Sequence, residues 1–345
     1  MSAAENTEFD GTAHRPALSG SSVGVRAAAP VFVVGSPRSG TTLLYHMLLS
    51  AGNFAIYRTE SQVFNLMEPR FGDFSNARNF ERMFSAWKRS RLFHETKLDL
   101  QEIVGALPSP CRNGGEFLRT VMERVARHQG VARWADCTPE HVLYLKRIKQ
   151  TIPQALVVHV IRDGRDVALS MAKQAWIHPF PWDRGRDIEV AALYWEWVIE
   201  KGREMGTALG QDYMEVRFEQ IVQRPQAALQ AVGEFIGQPL DYEAIRKAGL
   251  GSVSQPNSSF VEPANAGFSP IARWKVSMPK QVLTNVQALT GQTLQSLNYA
   301  LADCSEVPAK LPVRAFYRRY FDTKLFFKQR TSVGKLFSEQ DLSWL

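Results

Sequence analysis

The first 29 residues carry no apolar period. They are rich in Ala, Ser and Gly and read as a mobile leader, with order expected from Pro30. Val31–Val34 is then a short unbroken apolar run, the mark of a strand buried on both faces. A glycine-flanked turn, Gly35–Gly40, leads into an apolar helical segment, Thr41–Ala51, closed by Gly52. A short returning strand is expected at Phe54–Tyr57, and Glu68–Val131 reads as helical in places. Ala155–Ile161 is a second unbroken run, preceded by a helical stretch over Glu140–Lys149 and followed by a helix over Gly164–Ala175. The strongest 3.6-residue period covers Ile188–Leu209, where Ile188, Ala191, Ala192, Trp195, Val198 and Ile199 share a face. Tyr213–Phe218 alternates with period two, and Pro225–Ile236 is a helix with Pro in its first turn and Gly237 at its end. Gly251–Pro270, rich in Ser, Pro, Asn and Gly, reads as a long loop. Strands alternating with helices predict an α/β fold, a three-layer sandwich around a mainly parallel central sheet.

With 345 residues, 45% hydrophobic and 22% charged, the chain can bury a large core and is too apolar for a disordered protein. One domain is expected over 30–310, preceded by the leader at 1–29 and followed by a basic, aromatic extension at 311–345. A net charge of +7 favours anionic partners without choosing among phosphates, sulfates, anionic lipids and nucleic acid. Cys111, Cys137 and Cys304 lack the paired spacing of zinc or redox motifs and are expected as reduced thiols. The N-terminus has no signal-peptide core, and no apolar run approaches the roughly 20 residues that span a bilayer. A soluble, cytoplasmic protein is expected. In the extension, Val313, Phe316, Tyr317, Tyr320, Phe321 and Leu325 share a helical face, while Arg314, Arg318, Arg319, Lys324 and Lys328 crowd the rest. Such a helix can dock on the core or lie on a membrane surface and meet a lipid-like acceptor. Nothing in it suggests base-specific reading of nucleic acid.

The chemistry concentrates at strand ends. Gly35-Ser36-Pro37-Arg38-Ser39-Gly40-Thr41-Thr42 lies between a buried strand and a helix, where backbone N–H groups and the helix N-terminus converge on an anion. The pattern G-x-x-x-x-G-K-[ST] fits except at its lysine, where Thr41 stands. That lysine reaches the β- and γ-phosphates of a nucleoside triphosphate, so its absence argues against a P-loop small-molecule kinase. The positive charge has moved into the loop, at Arg38. A second anion site follows the later strand: Arg162 would stand at its carboxyl end, with Ser170 about two turns into the next helix. A third cationic element is Ser269-Pro270-Ile271-Ala272-Arg273-Trp274-Lys275, after the long loop.

These segments resemble the sulfotransferases that use 3'-phosphoadenosine-5'-phosphosulfate (PAPS). Ser36–Thr42 is similar to the 5'-phosphosulfate loop of the tyrosylprotein and bacterial branch, which reads P-R-S-G-T-T. Arg162 and Ser170 match the Arg and Ser, eight positions apart, that hold the 3'-phosphate. Arg273, Trp274 and Lys275 resemble the late loop that closes over the nucleotide. Tyr213–Leu240 is similar to a further family stretch, with Phe218 in place of the usual Tyr. The resemblance covers about residues 30–300 and implies a P-loop-like fold that moves a sulfuryl group from PAPS to a hydroxyl, leaving adenosine 3',5'-bisphosphate. Sulfuryl transfer requires no redox cofactor and no obligatory metal.

The resemblance also places a general base at Glu60, about two dozen residues past the loop, and gives Arg38 a catalytic charge. The small-molecule branch uses a His in a K-T-H motif instead. The comparable stretch here is Cys137-Thr138-Pro139-Glu140-His141, with His141 out of register and Asp136 nearby. Many bacterial relatives carry Lys where Cys137 stands, so that cation's task is unfilled or done elsewhere. A nucleotide-binding module without catalysis stays open as a third class. The acceptor could be a sugar, phenol, sterol-like alcohol, lipid or peptide tyrosine, and the oligomeric state is not encoded legibly.

Overall fold

In the computed structural model, which describes residues 26–255, 269–303 and 311–330, the apolar runs become a four-stranded sheet. The strands are β1 (Val31–Gly35), β2 (Ala135–Asp136), β3 (Leu156–Ile161) and β4 (Tyr213–Arg217). Their order is β2-β1-β3-β4 and every pair is parallel. The register pairs Gly35 with Val160 and Ile161 with Arg217. Three connections therefore leave the sheet along one edge: the loop after β1, Arg162 after β3 and Phe218 after β4.

The helices that matter for the site are α1 (Thr41–Ser50), α2 (Gly114–His128), α3 (Gly164–Lys173), α4 (Asp187–Thr207), α5 (Pro225–Ile236), α6 (Lys280–Ser296) and α7 (Leu311–Arg330). Alternation along the strands sorts them into layers. Val31, Val33, Val158 and Val160 pack against Leu44 and Leu48 of α1 and Leu229 and Val232 of α5. Phe32, Val34 and Val157 turn the other way, onto Phe117 and Val121 of α2 and Val198 of α4. β1 and β3 are buried on both faces, which is why their sequences run unbroken. β4, at the edge, buries only Val216 fully, which is why its sequence alternates.

Several expectations are corrected. Phe54–Tyr57 is not a strand: it makes a single bridge, Phe54 to Arg133. The backbone of Ile56 is instead satisfied by the Gln129 amide, which accepts from its N–H at 2.7 Å and donates to its C=O at 2.9 Å. The helix expected over Glu140–Lys149 is a 3-10 turn at Pro139–Tyr144 followed by an α-helix at Leu145–Thr151. The last residues of the expected leader are packed: Arg26 is buried and donates to the carbonyls of Phe235 (3.0 Å) and Gln211 (2.9 Å). Residues 1–25, Cys304, the loop segment 256–268 and the tail 331–345 lie outside the described residues.

Of the two placements open for the C-terminal helix, α7 takes the docked one. Tyr317 and Phe321 are buried, Trp197 Nε1 donates to Asp322 at 3.0 Å, and Arg314 pairs with Glu196 at 2.8 Å. Among the described residues no helix is long and apolar enough to cross a membrane.

Candidate active site

The loop after β1 is shaped by two left-handed residues, Arg38 (φ 70°) and Gly40 (φ 91°). Ser36 is buried and its carbonyl accepts from Ser39 N–H at 3.1 Å, closing a tight turn. Gly40 is required twice over: its φ suits glycine, and a Cβ there would lie 2.2 Å from the Phe218 ring. Among the described residues no side chain caps α1, so its first-turn N–H groups are left for a ligand. Ser39 Oγ is buried without a hydrogen-bond partner among the described residues. Pro37, in the same turn, lines the aromatic cavity described below.

Arg162 meets this loop at the end of β3. Its guanidinium donates to the carbonyls of Arg38 (3.1 Å) and Pro270 (2.7 Å) and lies 4.4 Å from the centre of the Phe218 ring. Arg38 Nε in turn donates to Ser170 Oγ at 3.0 Å, so the two anion motifs of the sequence converge. Arg273 joins them electrostatically. Burial first, and then the charge of Arg162, lowers the pKa of both Arg38 and Arg273, the latter to about 10. Arg162 is itself lowered by burial, against the pull of Asp166. The mutual influence of these guanidiniums makes the carboxyl end of β3 and the loop after β1 a positively charged region.

The rest of the late segment is placed differently. Trp274 is buried, with its backbone N–H on Asp166 (2.9 Å), its indole N–H on Asp163 (3.1 Å) and its ring 3.7 Å from the Arg165 guanidinium. It pins residues 269–275 to the start of α3. Lys275 is exposed, 5.7 Å from the Trp274 ring centre.

Glu60 is half-buried and accepts a hydrogen bond from the Gln62 amide. Burial, then the charges of Asp136 and Glu140, push its pKa up to about 8, against the pull of Arg38. The chain around it hangs on a buried pair. His141 Nε2 faces the N–H of Phe64 (3.3 Å) and so accepts; its Nδ1 therefore carries the proton and donates to Asp136 at 2.8 Å. Asp136 also receives the N–H of Ser61 (3.4 Å), and Thr138 Oγ1 receives that of Gln62 (3.3 Å). Burial alone would raise the Asp136 pKa, but His141 and these donors hold it below the ordinary carboxylate value. With both ring nitrogens of His141 and the Asp136 oxygens engaged, neither is placed as a base; together they position the segment that carries Glu60.

Cys137 stands where the resemblance leads to the expectation of a Lys. It is buried, hydrogen-bonded to the hydroxyls of Thr41 and Thr42, and burial pushes its thiol well above the ordinary value. It supplies no charge, and Arg38 is the cation whose field reaches Glu60. Sequence reasoning missed Gln62 and Asn65. Asn65 donates to the side-chain oxygen of Gln62 and to Glu140 (3.2 Å), which is held in turn by Tyr194 (2.8 Å). The available signal was a buried polar residue inside the apolar run Val63–Met67, a π-helical turn that starts after Gln62 at φ 56°.

Two cavities meet at Glu60. The first, of about 310 Å3, is aromatic, with Trp176, Tyr194, Trp197 and the α7 residues Tyr317, Tyr320 and Phe321 in its wall. The second, of about 390 Å3, is polar, with Thr42, His46, Arg58, Arg91 and Cys137. Glu60, Gln62 and Trp176 line both.

The sulfotransferase family model matches residues 30–242, which take in the loop, Glu60, Arg162 and Ser170. The chain belongs to the sulfotransferase family. It is 23% identical to protein-tyrosine sulfotransferase A of Caenorhabditis elegans over 284 residues, 79% of this chain and 68% of the relative. Among solved structures, the sulfotransferase domain from the curacin biosynthetic pathway matches at a TM-score of 0.52 and 19% identity, covering 79% of this chain and 99% of that one. The sulfotransferase domain of the Synechococcus PCC 7002 olefin synthase gives a TM-score of 0.44 at 15% identity, over 85% and 94% of the two chains. The fold is that of the curacin-pathway domain.

Proposed function

We propose that the chain transfers a sulfuryl group from PAPS to a hydroxyl of an acceptor held in the aromatic cavity, with Glu60 as general base. The observation that carries this reading is the joining of the two anion motifs, Arg38 bonded to Ser170 and Arg162 to the Arg38 carbonyl, with Arg38 within electrostatic reach of a carboxylate whose pKa is raised. A donor with two anionic ends suits these residues, since buried Ser39 Oγ and Arg162 Nε lack hydrogen-bond partners among the described residues and the charge of Arg162 bears on Arg38. Ser36, Pro37, Arg38, Ser39, Gly40, Thr41 and Thr42 would hold the 5' end. Arg162 and Ser170 would hold the 3'-phosphate, with Arg273 and Lys275 adding charge and Trp274 fixing their segment. PAPS supplies, when bound, the activated sulfuryl group. Glu60 accepts the acceptor's proton, Gln62 orients the carboxylate, and Arg38 balances negative charge that grows beside it. The catalytic unit spans 30–310, and α7 completes the acceptor wall.

Calorimetry with adenosine 3',5'-bisphosphate and with ATP–Mg tests the donor half. Binding of the bisphosphate and not of ATP–Mg is expected, and the reverse preference would overturn this reading.

A further inference from the structure

The fold splits the aromatic face of α7. Tyr317 and Phe321 turn inward and are buried, while Phe316 and Tyr320 turn outward, 44% and 37% exposed. The outward rings join a group built from the turn before α4. Phe180 stacks on Trp182 with 4.8 Å between ring centres, and it meets Phe316 (5.4 Å) and Tyr320 (4.9 Å) edge-on. Trp182 also meets Phe316, at 6.2 Å. Trp182 is 70% exposed. The backbone beneath the rings is tied down, since buried Asp183 accepts from Tyr317 Oη at 2.9 Å and pairs with Arg186 at 2.7 Å. A contiguous aromatic surface held out into water in this way marks an interaction site.

The surrounding charge favours one kind of partner. α7 carries six Lys and Arg residues against one acidic residue, Asp322, which is taken up by Trp197 and Lys201. Arg314 and Arg318 are drawn to Glu196 and Glu200, whereas Arg319 is exposed. Phe316, Arg319 and Tyr320 stand at i, i+3 and i+4 and so share the outer face. On the adjoining turn Arg184 is exposed, two residues past Trp182. Trp, Tyr and Phe interleaved with Arg and Lys suit the boundary of a bilayer, where rings reach the acyl chains and cations meet anionic headgroups.

We propose that the chain binds the surface of an anionic membrane through Trp182, Phe316 and Tyr320, with Arg319 and Arg184 turned to the headgroups. α7 then uses both of its faces, the inner one docked on α4 and the outer one on lipid. Tyr320 and Trp176, the latter 42% exposed, also line the aromatic cavity. The lipid-facing surface therefore runs into the space that the proposed function gives to the acceptor.

The test is flotation of the full chain with vesicles of phosphatidylcholine alone and with about 30% phosphatidylglycerol added. Binding is read without donor or turnover, so it holds or fails separately from the sulfuryl-transfer reading. The anionic vesicles should be bound at least about tenfold tighter than the neutral ones, and about 0.5 M salt should shrink the difference. Trp182→Ala with Phe316→Ala should weaken binding by at least about tenfold, at a near-wild-type melting temperature. Arg319→Glu, a single change at an exposed position, should weaken it by at least about fivefold. No binding to the anionic vesicles would overturn the proposal, as would undiminished binding by the double variant. So would a wild-type dimer that the double substitution turns into a monomer, since the rings would then belong to a second copy of this chain.

Discussion

Arg162 touches the backbone of the phosphate loop, the ring of Phe218 and the segment before Trp274, so its charge and its packing serve one place. A charge-assisted contact contributes roughly 1.5–3 kcal/mol, and Arg162→Ala should weaken bisphosphate binding by roughly ten- to a hundredfold. Calorimetry on the folded variant checks this, and an unchanged affinity would remove the assignment. Glu60 makes a different kind of prediction. With its pKa raised to about 8, most of it is protonated at neutral pH, and only the ionised form can take a proton. The rate should therefore climb with pH below about 8 and level off above it. The same shift bears on stability. A carboxyl whose folded pKa lies above its unfolded value of 4.5 favours folding most in acid and loses that contribution as pH rises to about 8. Glu60→Gln is blind to pH, so its melting temperature should match the wild type near pH 4.5 and exceed it at pH 9. A constant difference across that range would contradict the raised pKa.

At the scale of elements, the loop from β1 into α1 depends on Gly40. Gly40→Ala sets a side chain at φ 91° and against the Phe218 ring, and should cost at least about 2 kcal/mol. Denaturant unfolding measures the cost; a loss within error of zero would mean that Phe218 does not brace the loop. This element was legible in the sequence because everything it needs is local: an unbroken buried strand, a glycine where the backbone turns left-handed, and hydroxyls in the first helical turn. Pro225–Ile236 and Leu156–Ile161 were legible for the same reason. What escaped is non-local. A two-residue strand, Ala135–Asp136, carries no period. The expected strand at Phe54–Tyr57 fails because a side chain 73 residues away, Gln129, takes its backbone groups. Gln62 and Asn65 become site residues only once the chain folds over Asp136 and His141. Asp136 and His141 look catalytic by type, but their polar atoms are engaged with each other and with the backbone N–H groups of Ser61 and Phe64.

At the scale of the whole molecule, the proposed function gives donor and acceptor different walls. The carboxyl edge of the parallel sheet carries the guanidinium cluster, as open α/β sheets do with anionic ligands. The aromatic cavity is closed by α7, which comes from the far end of the chain and packs on α4 through Trp197 and Glu196. Glu60 stands where the two regions join. Such a division makes donor binding and chemistry separable, which a single substitution can exploit. Glu60→Gln keeps the shape and hydrogen-bonding reach of the side chain but removes its basicity. The decisive measurement is turnover of PAPS by this variant, read as the mass gain of one sulfo group on an acceptor that the wild type sulfates. Bisphosphate affinity is measured on the same sample. Turnover should fall by roughly 10²- to 10⁴-fold while the affinity stays at the wild-type value. A variant that keeps more than about a tenth of wild-type kcat, with chemistry rate-limiting, would show that Glu60 is not the base.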